Sequence, residues 1–498
     1  MNTPAFIWLI ALPLIASPLI YLSGRISRRP GLWVIPYVIG VLALLADWVP
    51  FSMAAQQLAL SGTMPFRVGT ISLQMDGLGL LLAAVVLGLG TFVALYSGPY
   101  LSKEVGQEKF YAMLVLMIGV IIGLGCATDL FNLWIWFEAM AVTSYFLVAF
   151  YREQPASLEA GIKYLVQSAA GSLLVVVAIG LVFSATGNLE LAKIHSEATP
   201  TTLLIAAGAL FMIGFGVKTA LVPLHTWLPD AHSQAPSGIS AMLSGVVIEA
   251  GLVAMLRSIT ALSSVTPSWY WLMLSFGAIN MIVGNLMALR QKQVKRLLAY
   301  SSVAQIGYML VGLGITFFTK EAGGAQGGLF HLFNHGVMKG LAFLSAGALL
   351  YTLHISVGDH EPLVIEDLAG AARRYPLIAL TLSLAVLGLG GLPPLAGFMS
   401  KWQIFVAGFK THNLWVDLLV VFAALNSVLS LAYYAPLVNA MYRLEPSKRV
   451  QKGNRMPLVM SVPLVILGLA VVLIGFWPSL MNWLTIPASQ ALLAGLGG

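Results

Sequence analysis

The sequence predicts an all-α polytopic membrane protein of about fourteen transmembrane helices, with two inverted five-helix repeats and two discontinuous helices. Three observations carry this. Of 498 residues, 59% are hydrophobic and 9% charged, whereas soluble domains carry nearer a quarter charged residues. Apolar windows of about 20 residues, the length that spans a bilayer as a helix, recur along the whole chain. The gaps between them alternate between rich and poor in lysine and arginine.

The windows fall near 5–23, 32–50, 73–96, 110–127, 130–151, 157–184, 203–228, 236–260, 269–289, 294–317, 325–352, 377–409, 415–440 and 457–483. Each is expected to be helical, because backbone groups in lipid must be satisfied within their own segment. The first run, Phe6 to Tyr21, has no basic stretch before it and is followed by Arg25, Arg28 and Arg29. It reads as a retained first span entering from outside rather than a signal peptide. Alternate gaps beginning with 24–31 hold 17 Lys and Arg, and the opposite set, termini included, holds 5. The positive-inside rule then places both termini on the non-cytoplasmic side. The expected setting is a prokaryotic cytoplasmic membrane.

Composition also excludes several chemistries. The single cysteine, Cys126, supports neither a self-contained iron–sulfur cluster nor a disulfide framework. There is no Walker-type phosphate loop, and Gly388, Gly390 and Gly391 do not complete a dinucleotide fingerprint. No cofactor is expected in this chain. The net charge of +7 is a property of the gaps and does not point to nucleic acid.

Two of the windows are too long and broken by proline. One contains Lys218 and then Pro223, followed by Trp227, Pro229 and Asp230; the other contains Gly388 to Pro394 and then Lys401. Paired discontinuous helices are a sequence pointer to an ion pathway, and the alternative is an ordinary proline kink. Short internal matches support the pairing. Tyr145-Phe-Leu-Val-Ala resembles Tyr308-Met-Leu-Val-Gly, and Lys163 precedes Ala170-Gly171 at the offset by which Lys339 precedes Ala346-Gly347. The expected organisation is three N-terminal helices (1–109), two five-helix repeats (110–260 and 269–440) and a C-terminal helix (441–498).

Twenty-two of the 26 lysines and arginines are assigned to the gaps. Lys163, Lys218, Lys339 and Lys401 fall inside apolar windows, as do Glu138 and Glu249. An ionisable group in hydrocarbon costs roughly 3 kcal/mol on insertion scales, so such groups usually serve a function. Glu138 and Lys218 are expected to form an ion pair that opens and closes around a proton; the alternative is a static pair that fixes packing. Lys163 stands one turn after Glu159 and pairs locally, or else snorkels to the interface. Lys339 shares a helix face with His331 and His335. That histidine spacing invites zinc, but no third ligand is apparent, and a proton relay fits better. His225 and His232 are expected beside one wet cavity, Lys295 is expected at the interface, and Asp76 is expected to cap a helix. The expected polar line is Glu138, Lys218, His331/His335, Lys339 and Lys401.

These residues resemble the antiporter-like subunits of respiratory complex I, a superfamily shared with Mrp-type antiporters and membrane-bound hydrogenases. The motifs are Asp129-Leu-Phe-Asn-Leu-Trp-Ile-Trp-Phe-Glu138, Glu159-Ala-Gly-Ile-Lys163-Tyr, Lys218 through Pro223-Leu-His-Thr-Trp-Leu-Pro-Asp-Ala-His232, Val294-Lys-Arg-Leu-Leu-Ala-Tyr-Ser301, Asn334-His-Gly-Val-Met-Lys339 and Leu392-Pro-Pro-Leu-Ala-Gly-Phe-Met-Ser-Lys401. The resemblance implies fourteen helices and proton translocation without redox chemistry in this chain. It also implies partners that include antiporter-like paralogues, with NADH and quinone bound by other subunits. By position, Glu138 and Lys218 match the family's Glu–Lys pair, Lys339 its central lysine and Lys401 its terminal lysine. Glu249 departs from the pattern, since the family commonly has lysine there. The chain ends soon after the last window, as in the shorter antiporter-like subunits. An Mrp or hydrogenase subunit and a structural subunit with an inactive channel remain the rival readings.

Overall fold

The computed structural model describes residues 4–26, 34–357, 361–443 and 445–497. Arg28 and Arg29, which contribute to the charge asymmetry, lie outside the described residues. In chain order the principal elements are α1 (Ala5–Ile26), α2 (Val34–Ser61), the strands β1 (Met64–Val68) and β2 (Ile71–Met75), α3 (Gly77–Tyr100), α4 (Gln107–Gly125), α5 (Leu130–Val148) and α6 (Pro155–Thr186). There follow α7 (Leu191–Glu197), α8 (Thr202–Lys218), α9 (Trp227–Gln234), α10 (Ser237–Ala261), α11 (Trp269–Leu289), α12 (Val294–Thr319) and α13 (Ala322–Leu353). The last are α14 (Pro376–Gly390), α15 (Ala396–Phe409), α16 (Leu414–Arg443), α17 (Leu458–Phe476) and α18 (Asn482–Gly495).

Among the described residues, twelve helices are long and apolar enough to cross a membrane by length and composition. Two shorter apolar helices, α8 and α14, each run into one of the two expected interruptions. The windows 203–228 and 377–409 are therefore not continuous. The first is α8, an irregular stretch and the start of α9; the second is α14, residues 391–395 and α15. The window 457–483 also divides, with α17 ending at Phe476 and α18 turning back to pack on α3. The window 73–96 begins in β2, which pairs antiparallel with β1 in a small hairpin (Met64 opposite Met75). Alternation in five-residue strands is too short to stand out beside a long apolar run.

Local chemistry sets the boundaries. Asp76 and Asp129 are N-caps, accepting from the backbone N–H of Gly79 at 2.8 Å and Asn132 at 2.7 Å. Pro155 opens α6, and Gly187, at φ +69°, closes it. The 32-residue α13 is the hub of the bundle. It is almost wholly buried and packs against α10, α12, α14, α15 and α17. α13 is held against both halves of the second interrupted helix, and His232 of α9 stacks on its Phe343.

Asp76 does more than cap. It receives a bidentate contact from Arg257 (3.0 and 2.9 Å), a residue inside α10. Breaking a largely buried pair from one side leaves the other charge stranded, which costs about 3–5 kcal/mol. Asp76→Ala is therefore expected to lower the thermal midpoint of the purified protein sharply. Asp76→Asn, which keeps the cap and one hydrogen bond to Arg257, is expected to lose less than half as much.

Candidate functional site

The second interruption shows how sequence builds the site. In a continuous helix the carbonyls of Leu389 and Gly390 would accept from the residues four further on. Those residues are Pro393 and Pro394, which have no N–H. Gly391, at φ +80°, turns the chain out of the helix. The two freed carbonyls find side chains instead. Leu389 O accepts from Lys401 Nζ at 2.8 Å and from Gln305 Nε2 at 3.1 Å, and Gly390 O accepts from Ser427 Oγ at 2.9 Å. Lys401 Nζ also reaches Ser427 Oγ at 2.9 Å and lies 4.3 Å from the centre of the Tyr308 ring. A buried ammonium is thus held by neutral dipoles and a π face, with no carboxylate beside it.

The first interruption is also bridged by a side chain, but through different backbone groups. Asn280 satisfies the break, accepting from Val222 N at 2.9 Å and donating to Ala220 O at 3.2 Å. Lys218, the last residue of α8, is buried; its Nζ donates to Ser168 Oγ at 3.1 Å and sits 4.3 Å over the Tyr164 ring. The expected ion pair with Glu138 is not closed. Glu138 acts on Lys218 electrostatically, but its Oε1 is buried without a hydrogen-bond partner. Desolvation explains the arrangement, since Lys218 is already stabilised by a hydroxyl and an aromatic face.

Between the two lysines lies the part of the line carried by α13. His335 Nδ1 contacts Glu249 Oε1 at 2.8 Å, with both side chains fully buried. Gly245 and Gly336 make this approach possible. A Cβ on Gly336 would stand 2.9 Å from the Gly245 carbonyl, too close for α10 and α13 to keep their spacing. A π turn over Leu243–Val247 lies just before Glu249, a feature common at functional sites. One turn before His335, His331 hydrogen-bonds Ser400 Oγ through Nδ1 and Gln305 Oε1 through Nε2, each at 2.9 Å. The two histidine rings are 6.5 Å apart. One turn after His335, Lys339 donates to Leu298 O at 2.7 Å and to Ser301 Oγ. Glu249, His335, His331, Gln305, the Leu389 carbonyl and Lys401 therefore form a line with a single inter-ring gap.

Lys163 pairs with Glu159 one turn earlier at 2.7 Å, as its spacing suggests, and also reaches Asp230 at 3.3 Å; it is half exposed and lies beside the line. Other residues stand elsewhere than expected. Lys295, expected at the interface, is buried and donates to Ala235 O on the floor of a polar opening of about 50 Å³. That is room for roughly one water. His232 and His225 have different ring neighbours. His232 is fully buried, stacked on Phe343 at 4.6 Å with both ring nitrogens unpartnered, where Lys295 and Lys339 both act on it electrostatically. His225 lies instead near the Tyr300 ring. Gln305 was missed, although its partner was legible: the Leu389 carbonyl stands four residues before a proline inside an apolar run and needs a donor. Asn280 was missed as well, and its partners, Val222 N and Ala220 O, follow no such rule. Asp47 was also missed. It is buried in α2 with both carboxylate oxygens unpartnered, on the part of the bundle formed with α1, α3 and α4. No group of three or more potential metal ligands occurs among the described residues.

Residues 127–429 match the family model described as NADH:quinone oxidoreductase/Mrp antiporter, transmembrane. The chain belongs to the NADH:quinone oxidoreductase/Mrp antiporter family. Residues 66–111 of this antiporter-like subunit also match the model of the complex I chain 5 N-terminus. Subunit N of the F420H2 dehydrogenase of Methanosarcina mazei is 30% identical, over 95% of this chain and 97% of that one. Subunit N of an NADH-quinone oxidoreductase from Desulfitobacterium hafniense is 33% identical, over 80% and 82%. A chain of the archaeal membrane-bound sulfane sulfur reductase superposes with a TM-score of 0.87 at 28% identity, covering 99% of this subunit and all of that chain. The antiporter-like fold thus extends over the whole subunit.

Proposed function

We propose that this antiporter-like subunit conducts protons across the membrane as part of a complex I-type NADH:quinone oxidoreductase. The observation that carries the reading is the buried line from Glu249 through His335, His331 and Gln305 to Lys401. Each group on it other than Gln305 and the carbonyl can bind and release a proton. Histidine passes a proton from one ring nitrogen to the other; a lysine held by neutral dipoles can exist charged or neutral. Lys295, at the polar opening, and His232 form the entry to Lys339 and the centre, and Lys218 with Glu138 forms a second, switchable station.

In this reading the chain does no redox chemistry and holds no cofactor. NADH and quinone belong to partner subunits, antiporter-like paralogues among them, and electron transfer there drives the proton stations by changing their electrostatics. The basic gaps face the cytoplasm and the termini face outward. The subunit N relatives support the oxidoreductase assignment. Co-purification of the tagged chain with redox subunits is the expected outcome; a set of small antiporter partners without them would favour a cation/proton antiporter.

Gln305→Leu tests the line itself. It removes both the contact to His331 and the contact to the Leu389 carbonyl at nearly constant volume, leaving every titratable group in place. Proton uptake by proteoliposomes of the assembled complex is expected to fall about tenfold, less than the roughly hundredfold or more that a positioned acid–base group contributes, because Gln305 does not itself titrate. An unchanged rate would remove Gln305 from the path.

A further inference from the structure

At one end of the bundle, α1, α4 and α5 leave an open cleft of about 770 Å³, within the size range of small-molecule sites, roughly 300–1,000 Å³. Its walls are apolar, among them Met113 and Phe146, and it runs about two helical turns down from its mouth. At the mouth stand Lys109, on the first turn of α4, and Arg152, just after α5. They are the only charged residues that line it among the described residues. A third cation is tied to its rim: Arg25 Nε donates to the hydroxyl of the lining residue Tyr21 at 3.1 Å. Arg152 also meets Glu153 at 3.6 Å, but both are well exposed, and such a pair contributes little.

Cations from three separate elements thus ring the top of an apolar slot whose depth lies along the membrane normal. Water cannot satisfy apolar walls, and a soluble anion cannot fill them. We infer that this cleft binds an anionic phospholipid, with its phosphate at Lys109 and Arg152 and an acyl chain between α1, α4 and α5. The mouth lies on the side of the basic gaps, where an anionic leaflet would present such headgroups. The site is distinct from the proton line, and a bound lipid there is a wedge that fixes α1 and α4 against α5, the helix that carries Glu138.

Native mass spectrometry of the full-length chain, equilibrated with vesicles of equal phosphatidylglycerol and phosphatidylcholine, reads the retained lipid. Phosphatidylglycerol is expected to be retained preferentially. In a Lys109→Gln/Arg152→Gln variant its retention is expected to drop roughly thirtyfold, as two cations near a membrane surface contribute. Met113→Trp, which narrows the slot where the acyl chain would lie and leaves the cations, is expected to weaken lipid retention as well. Equal retention of the two lipids, or undiminished retention by the double variant, would overturn headgroup recognition. Undiminished retention by Met113→Trp would overturn the placement of the acyl chain.

Discussion

Lys218→Met is expected to cut proton transport by the assembled complex about a hundredfold or more, the scale on which positioned acid–base groups act, while the chain folds and assembles normally. Methionine keeps the aliphatic stem between Phe137 and Tyr164, where the ammonium lies 5.9 and 4.3 Å from the ring centres. What is lost is the donor to Ser168 and the capacity to hold a proton. Ser168 can turn its hydroxyl to a helix carbonyl, so the stranded partner is cheap to satisfy. Removing a buried charge that has no ion-pair partner also removes a desolvation cost, so the thermal midpoint is expected to stay level or rise. Dye-reported acidification of proteoliposomes and a melting curve, taken on one preparation, separate the two effects. Full pumping by an assembled Met variant would leave Lys218 a packing residue.

Glu249 carries the second large effect. Glu249→Gln keeps the volume and a hydrogen bond to His335, yet it can no longer take up a proton. Transport is expected to fall about a hundredfold with little loss of stability, because a neutral amide is easier to bury than a carboxylate. Glu249→Lys restores the residue that the family pattern commonly carries, and a lysine can hold and release a proton against a neutral His335. Its rate is expected between those of the Gln variant and the natural chain. The order natural, Lys, Gln is the diagnostic result. A Gln variant pumping at the natural rate would show that the 2.8 Å contact with His335 serves packing alone.

Much of the fold was legible because lipid imposes a simple constraint. A backbone in hydrocarbon must bond to itself, so length and hydropathy gave most helix boundaries to within a few residues, and the two proline breaks marked where that rule is relaxed. The failures came where side chains answer to three-dimensional neighbours. Lys163 and Lys295 both lie in the first third of a membrane helix, and one is half exposed while the other is buried. Hydropathy averages over a turn and cannot say which face of the helix a lysine occupies. The pairing of Arg257 with Asp76 was beyond it for a related reason: the two are 181 residues apart.

By itself, then, the sequence determined a helical membrane protein, its interrupted helices and the identities of its ionisable residues, because these follow from local composition and from proline's missing N–H. Only the tertiary structure decided how those residues connect. It set Glu249 against His335 through the close approach of two glycines, joined His331 to Lys401 through Gln305 and a freed carbonyl, and left Glu138 apart from Lys218. Hydrogen bonds reach about 3 Å, and which groups come within that reach is fixed by helix packing, a property no stretch of this chain holds alone.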